Sequence, residues 1–397
     1  MEIQDRFSKR THRISVSATL AVLTEAERLK SQGVDIIDFG PGEPDFPTPA
    51  NVKAAAIKAI DSNFTKYTAT AGILPLREAI VRRHERDFGS KYSAREAIVS
   101  VGGKQALFNA VASLVDHGDE VILPTPFWVT FQDVITYHGG TPVYVPAREE
   151  NDFSLKAVDV ERAITPRTRL IIVNSPNNPS GGVVSEEEFK KIADLVIAHD
   201  LFLLSDEAYS NFLYEGLKPF SIASLGESIK SRLVVIGTLS KTYAMTGWRI
   251  GYGLGPERLI QEMLKIQSHS TSNPTSISQR AAIEALEGSQ DSVQQMLAEY
   301  SKRRQYVLEA LQSIPGIRCA RPYGAFYAYV NVSGLLGRDG IQSSMEMAKV
   351  LLDRTCIAVV PGEAFGTPGY IRFSYATSME TIKRGMEVFR NFVLSLK

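Results

Sequence analysis

Five short apolar runs, separated by stretches with helical patterning, set the tightest limit on how this chain can fold. They are Ala97-Ile98-Val99-Ser100-Val101, Glu120-Val121-Ile122-Leu123, Leu170-Ile171-Ile172-Val173-Asn174, Leu201-Phe202-Leu203-Leu204 and Leu233-Val234-Val235-Ile236-Gly237. Each reads as a buried strand. The first leads through Gly102-Gly103 into a helix expected from Lys104 to Val115. The third leads into Ser175-Pro176-Asn177-Asn178-Pro179 and a helix expected from Ser185 to His199, where Ser185 and Glu188 resemble a capping box. The alternation predicts an α/β fold with a mostly parallel central sheet flanked by helices. In such sheets ligands sit at the carboxyl ends of the strands, and the distinctive polar residues of this chain fall there.

Beyond about residue 290 the texture changes. A long charged helix runs through Lys302-Arg303-Arg304, and short strands and helices then alternate to the end. This predicts a second, smaller α+β domain over residues 291–397, completed by residues 1–44, around a large domain of residues 45–290. The Gly/Pro-rich segment Gly40-Pro41-Gly42-Glu43-Pro44-Asp45-Phe46 reads as the crossing between them.

Lys+Arg and Asp+Glu number 44 each in 397 residues, so the formal net charge is zero. That argues against a nucleic-acid or membrane-surface partner, whose footprint is basic. Two cysteines, Cys319 and Cys356, are too few for a disulfide framework and read as reduced core thiols. The six histidines form no metal-binding spacing, so no metal is expected. The acidic start of the chain and the lack of a long apolar run lead to the expectation of a cytoplasmic protein.

The chemistry concentrates in Ser240-Lys241-Thr242-Tyr243-Ala244-Met245-Thr246-Gly247-Trp248-Arg249. A lysine at a strand exit can form a Schiff base with an aldehyde, and burial lowers its pKa into a useful range. Hydroxyls and an arginine beside it can hold a phosphate. An aldehyde and a phosphate on one small molecule suggest pyridoxal phosphate. A solvated lysine followed by ordinary strand at Trp248-Arg249-Ile250 is the plainer alternative.

Other residues fit the same picture, each with a plain alternative. Asp206 can pair with a protonated pyridine nitrogen, or cap a helix. Tyr209 and Asn178 can donate to a ring oxygen, or serve as core packing and a turn asparagine. Gly103 and Lys104 open a helix whose backbone N–H groups suit a phosphate, as many helix starts do. Trp128 can stack on a ring or fill the core, and Tyr67 can reach a ligand or a neighbouring subunit, or be a surface tyrosine. Arg372 shares a strand face with Tyr370 and Ser374; its fork suits a substrate α-carboxylate, and a solvated strand face is the alternative.

Taken together, Gly42-Glu43-Pro44-Asp45-Phe46, Asn177-Asn178-Pro179-Ser180-Gly181, Ser205-Asp206-Glu207-Ala208-Tyr209 and Ser240-Lys241 through Gly247-Trp248-Arg249 resemble the fold-type I pyridoxal-phosphate enzymes, specifically class I aminotransferases. The resemblance runs from about Ser17 to Thr377. It implies that Lys241 is the Schiff-base lysine and proton carrier, that Asp206 pairs with the pyridine nitrogen, and that Tyr209 and Asn178 face the ring oxygen. Gly103, Lys104, Ser240 and Arg249, with Thr238, would hold the phosphate. Tyr67 would reach the phosphate of a partner subunit in a homodimer with shared active sites, and Trp128 would stack on the ring. Arg372, Asn178 and the backbone at Gly42 would hold the α-carboxylate.

Ser17-Ala18-Thr19-Leu20-Ala21-Val22, Gly102-Gly103-Lys104-Gln105 and Ala244-Met245-Thr246-Gly247-Trp248-Arg249 narrow the resemblance to bacterial aspartate aminotransferases of the subgroup that often accepts prephenate. Lys104, with Ser17 and Thr19, then becomes the candidate for a substrate's distal carboxylate. The chain departs from the subgroup at Ser180, Gly182 and Ala208, and Arg13-Ile14-Ser15-Val16 lacks its Lys-Pro. The implied reaction is transfer of an amino group between amino acids and 2-oxo acids, L-aspartate and 2-oxoglutarate foremost. Aromatic, alanine or kynurenine aminotransferases are the alternatives within the class. A DNA-binding regulator or a nicotinamide dehydrogenase would need a helix-turn-helix extension or a Gly-x-Gly-x-x-Gly turn, and neither is present.

Overall fold

This computed structural model describes residues 7–14 and 18–397, with side chains of the helix Ala18–Ser31 from residue 24 on. Seven strands form the main sheet: β1 (Ala97–Val101), β2 (Glu120–Thr125), β3 (Thr141–Pro146), β4 (Thr168–Asn174), β5 (Phe202–Asp206), β6 (Leu233–Thr238) and β7 (Ile250–Leu254). Their order across the sheet is β1-β7-β6-β5-β4-β2-β3. Only β7 runs against its neighbours; the other pairings are parallel.

Side-chain alternation explains why both faces are dry. Leu170 and Ile172 of β4 point to one side with Leu204, Val234 and Ile236, where helices Gly103–Leu114, Thr130–Tyr137 and Glu257–Ser268 cover them. Ile171 and Val173 point to the other side with Leu203 and Val235, beneath Ala50–Asp61, Leu74–Phe88, Glu186–Ala198 and Ser276–Glu287. A mostly parallel sheet sandwiched this way needs near-continuous apolar strands, as the inner strands β4, β5 and β6 are; only the edge strand β3 is largely exposed. Each fully buried Val, Leu or Ile contributes about 1.5–3 kcal/mol.

A second core gathers the C-terminal part. Strands β8 (Arg318–Cys319), β9 (Tyr327–Asn331), β10 (Val360–Pro361) and β11 (Tyr370–Ser374) form an antiparallel sheet in the order β10-β11-β9-β8. Helices Asp291–Gln312, Ser344–Thr355 and Met379–Ser395 pack on it. The N-terminal segment does join this part: Ile37–Asp38 pairs in parallel with Ile357–Ala358, and Phe39 is buried in the same core. That core also takes Tyr209 and Phe212 from the loop after β5.

Local differences from the sequence reading have physical causes. The first helix after β1 begins at Gly103, one residue early. Ser185 caps its helix by accepting the Glu188 N–H, but Glu188 does not return the bond; its carboxylate accepts the Ala157 N–H at 2.7 Å instead. The charged helix is not simply solvated. Arg303 is buried and donates to both oxygens of Asp45 at 2.8 and 2.9 Å, and Arg304 is buried between the Pro322 carbonyl and Glu215. Both cysteines are unpaired but half-buried rather than core. No helix among the described residues is long and apolar enough to cross a membrane.

Candidate active site

The carboxyl ends of β1, β4, β5 and β6 and the start of β7 open on one cavity of about 260 Å³. Strand register explains the convergence. Asn174 lies opposite Asp206, Asp206 opposite Ile236, and Thr238 opposite Gly251, so the ends of β4, β5 and β6 form one rim. Because β7 is antiparallel, its start lies where β1 and β6 end, with Val101 opposite Ile250. Arg249, just before β7, therefore meets Gly102, just after β1. A Cβ at Gly102 would collide with the Arg249 guanidinium, and Gly102 has a φ of +78°, so the position suits glycine twice over.

Of the residues singled out in the sequence, Gly42, Gly103, Lys104, Trp128, Asn178, Asp206, Tyr209, Thr238, Ser240, Lys241, Arg249 and Arg372 all line this cavity. Tyr67 does not. It is 93% exposed and borders a separate hollow with Lys66 and Thr271. Ser17 and the side chain of Thr19 lie outside the described residues.

The lysine is partly buried, and its Nζ donates to the Gly42 carbonyl at 2.5 Å. Burial lowers its pKa to about 8, with the Glu43 carboxylate opposing and the cations Arg249, Arg372 and Lys104 assisting. Gly42 is held here by its surroundings: Thr246 donates to Glu43 at 2.7 Å, tying the crossing segment to the turn that follows Lys241. With its carbonyl engaged, Gly42 can serve a carboxylate only through its N–H.

Asp206 sits deep at the end of β5. Burial raises its pKa to about 7, against the pull of the Ala208 N–H, which donates to its Oδ1 at 3.1 Å. Tyr209 lies beside it, its hydroxyl 2.8 Å from that of Tyr327 and its pKa raised by burial. At the other end, Thr238 Oγ1 lies 2.9 Å from Ser240 Oγ and accepts the Ser240 N–H at 3.2 Å, which presents both hydroxyls beside the start of the helix Gly103–Leu114. Lys104 carries its Nζ over the Trp128 ring, 4.8 Å from the centroid, and desolvation and Arg249 lower its pKa.

Arg372 is not on a solvated strand face: it is 2% exposed. Its Nη1 donates to Asn178 Oδ1 at 2.9 Å and its Nη2 to the Gly40 carbonyl at 2.6 Å, while its Nε is buried without a partner. The Asn178 carbonyl thus faces the arginine, and its Nδ2 remains as the donor.

Four lining residues escaped the sequence reading, the apolar Ala208 and Ile236 and the polar Asn174 and Tyr327. Asn174, the last residue of β4, donates to the Asp206 carbonyl at 3.1 Å and accepts the Asn178 N–H at 2.9 Å. A polar residue ending an apolar strand was a usable signal. Tyr327 comes from β9, across the domain boundary, and nothing in Gly324-Ala325-Phe326-Tyr327 distinguishes it from core.

Comparison with known proteins agrees with this geometry. Residues 34–389 match the family model described as aminotransferase class I and II. An aspartate aminotransferase of Geobacillus stearothermophilus is 42% identical over 98% of this chain and 99% of its own. An aspartate/prephenate aminotransferase of Nitrosomonas europaea is 42% identical over 96% of this chain and 98% of its own. The solved aspartate aminotransferase of Thermus thermophilus with maleate superposes with a TM-score of 0.92 at 40% identity, covering 97% of this chain and 99% of that one.

Proposed function

Because the chain belongs to the class I and II aminotransferases, we propose that it transfers the amino group of L-aspartate to 2-oxoglutarate, giving oxaloacetate and L-glutamate, with pyridoxal phosphate as cofactor. The observation that carries the reading is the convergence on one cavity of Lys241, the buried carboxyl of Asp206 and the buried guanidinium of Arg372. Prephenate is a further acceptor to test, supported by the Nitrosomonas relative.

The residues fit that cofactor. Burial leaves Asp206 poorly compensated, and a protonated ring nitrogen would supply the missing positive charge. The helix start at Gly103 and Lys104, the Thr238 and Ser240 hydroxyls and Arg249 suit a phosphate dianion. Tyr209 and the Asn178 Nδ2 would donate to its ring oxygen, and Trp128 would offer a flat face to its ring. When bound, pyridoxal phosphate supplies an aldehyde that takes up the amino group and a ring that draws off the Cα electron pair.

Lys241 Nζ is the proton carrier. Its amine form, favoured by the burial that lowers its pKa to about 8, can take the proton from the substrate Cα and would give it up to the cofactor's former aldehyde carbon rather than back to Cα. Arg372, held by Asn178 and Gly40, presents its guanidinium to the α-carboxylate. Lys104, at the mouth beside Trp128, supplies a cation for the distal carboxylate of a dicarboxylic substrate. A lid formed by movement of the smaller domain would exclude water.

We also propose that the active sites are completed in a homodimer. Tyr67 stands clear of its own cavity, and Ile57, Ile60 and Leu74 are likewise exposed, apolar surface suited to burial against a second copy.

The absorbance of the protein loaded with pyridoxal phosphate, recorded before and after adding L-aspartate alone, tests the activity. Loss of the near-visible band on aspartate, slower with L-phenylalanine or L-alanine, is expected. A band indifferent to aspartate would reassign the substrate and remove the role of Lys104.

A further inference from the structure

Tyr327 touches both halves of the site at once. Its ring lies under the Arg372 guanidinium, 4.4 Å from centroid to Cζ, and its hydroxyl lies 2.8 Å from that of Tyr209. Arg372 belongs to the same small sheet as Tyr327, one strand over, whereas Tyr209 follows β5 of the main sheet. The crossing segment is pressed against the same residue: a Cβ on Gly42 would stand 2.9 Å from the Tyr327 hydroxyl. Tyr327 is fully buried yet lines the cavity.

Resting on the functional reading above, we propose that Tyr327 is a positioning residue with two separable tasks: its ring orients Arg372 for the substrate α-carboxylate, and its hydroxyl polarises Tyr209 as a donor to the cofactor's ring oxygen. The physical basis is simple. A guanidinium stripped of water is held flat by an aromatic face, and the two hydrogen bonds of Arg372 then fix its rotation in that plane. Either hydroxyl can donate across the 2.8 Å contact; once the Tyr209 O–H is given to the ring oxygen, the Tyr327 O–H must donate to Tyr209, and a phenol that accepts a hydrogen bond becomes a stronger donor through its own O–H. The titratable and charged groups facing Tyr209 are Tyr327, Arg372 and Asp206. Of these, only Tyr327 can be stripped of its polar atom while keeping its ring.

The two tasks predict different defects. Tyr327→Phe keeps the ring and loses the hydroxyl. In the protein loaded with pyridoxal phosphate, the pH midpoint of the chromophore's absorbance change should rise by about half a unit or more, because a ring oxygen with a weaker donor gives less support to its anionic form. Binding of succinate, an unreactive dicarboxylate, measured by calorimetry on the same protein, should stay within about twofold of the parent. Tyr327→Leu removes both features and should in addition weaken succinate binding by about fivefold or more. In a Tyr209→Phe background, Tyr327→Phe should leave the midpoint where Tyr209→Phe alone puts it.

A purely structural tyrosine would lower the melting temperature of both variants and move neither readout. A Tyr327→Phe midpoint within about 0.2 units of the parent overturns the inference, and so does a midpoint shift that persists undiminished without Tyr209. Succinate binding by Tyr327→Leu as tight as by Tyr327→Phe overturns the ring's task. If Tyr327→Leu does not fold, the Phe variant and the double substitution still decide the hydroxyl's task, and succinate binding by Tyr327→Trp, with a flat face retained, replaces it for the ring. A parent protein with no chromophore, or with a chromophore but no affinity for succinate, overturns the functional reading itself and this inference with it; a normal parent with unmoved variants overturns this inference alone.

Discussion

Asp206, on the rim of the large sheet, and Arg372, on the wall supplied by the smaller domain, are both buried charged groups facing one cavity, and the fold equips them differently. Arg372 has two hydrogen bonds, to Asn178 and Gly40, and two aromatic faces, Tyr327 at 4.4 Å and Phe365 at 5.1 Å. Asp206 has the Ala208 N–H and a pKa pushed to about 7. The small-domain wall is a finished anion receptor, needing only its carboxylate. The rim keeps a carboxyl whose burial is only partly offset, by the Ala208 N–H and by Lys241, an arrangement that costs the cofactor-free fold stability and would suit the ring cation of the proposed cofactor. Lys241 shares this condition: burial holds its pKa down to about 8, where its amine is useful.

The sharpest test of the contrast removes the rim's base while leaving the wall intact. Lys241→Ala should cut turnover by at least about 10⁴-fold, while succinate affinity, set by Arg372, stays within about threefold. Substantial steady-state turnover without added amines would remove Lys241 from its assigned role.

The converse substitution breaks the wall and spares the rim. Arg372→Lys keeps the charge but loses the fork, and KM for L-aspartate should rise by about 30- to 100-fold. The midpoint of the chromophore's pH titration should move little. Steady-state kinetics showing a loss confined to kcat would mean that Arg372 does not hold the substrate carboxylate.

The smallest effect concerns stability. The Asp206 carboxyl binds its proton more tightly in the fold, with a pKa of about 7, than in the unfolded chain, near 4. Folded protein therefore holds more protons between those values, and stability falls as pH rises through that window. Asp206→Asn abolishes the loss. The cofactor-free variant should be more stable than the parent above pH 7, by a margin that disappears as the pH falls toward 4. Denaturant melts at both pH values decide it, and a gain of equal size at each would refute the cause. The same variant should bind pyridoxal phosphate more weakly.

Much of the rim was legible in the sequence because strand ends are local events. Asp206 and Lys241 each follow an apolar run, and the register that aligns them comes with the parallel sheet those runs dictate. The turn at Gly102-Gly103 was equally visible. What stayed hidden depended on partners distant in sequence. Arg372 could be placed on a strand, but its burial follows from the packing of Tyr327 and Phe365 around it. Glu188 looked like half of a capping box until Ala157 offered it another donor. Arg303 was visible only as part of a charged helix, yet it is buried with its Nη1 on both oxygens of Asp45, more than 250 residues earlier by number.

By itself, then, the order of residues determined the α/β alternation, the strands with two dry faces and the identity of the lysine, carboxyl, glycine turn and arginine at the strand ends. Periodicity and turn chemistry act over a few residues and leave marks that can be read without a partner. Only the tertiary structure decided that β7 runs backwards and so delivers Arg249 to Gly102, that Gly42 takes the lysine's hydrogen bond, and that Tyr327 joins Arg372 to Tyr209. Each of those is a contact between segments far apart in the chain, set by which surfaces bury together, and burial also moves the pKa values of Lys241 and Asp206 toward neutrality.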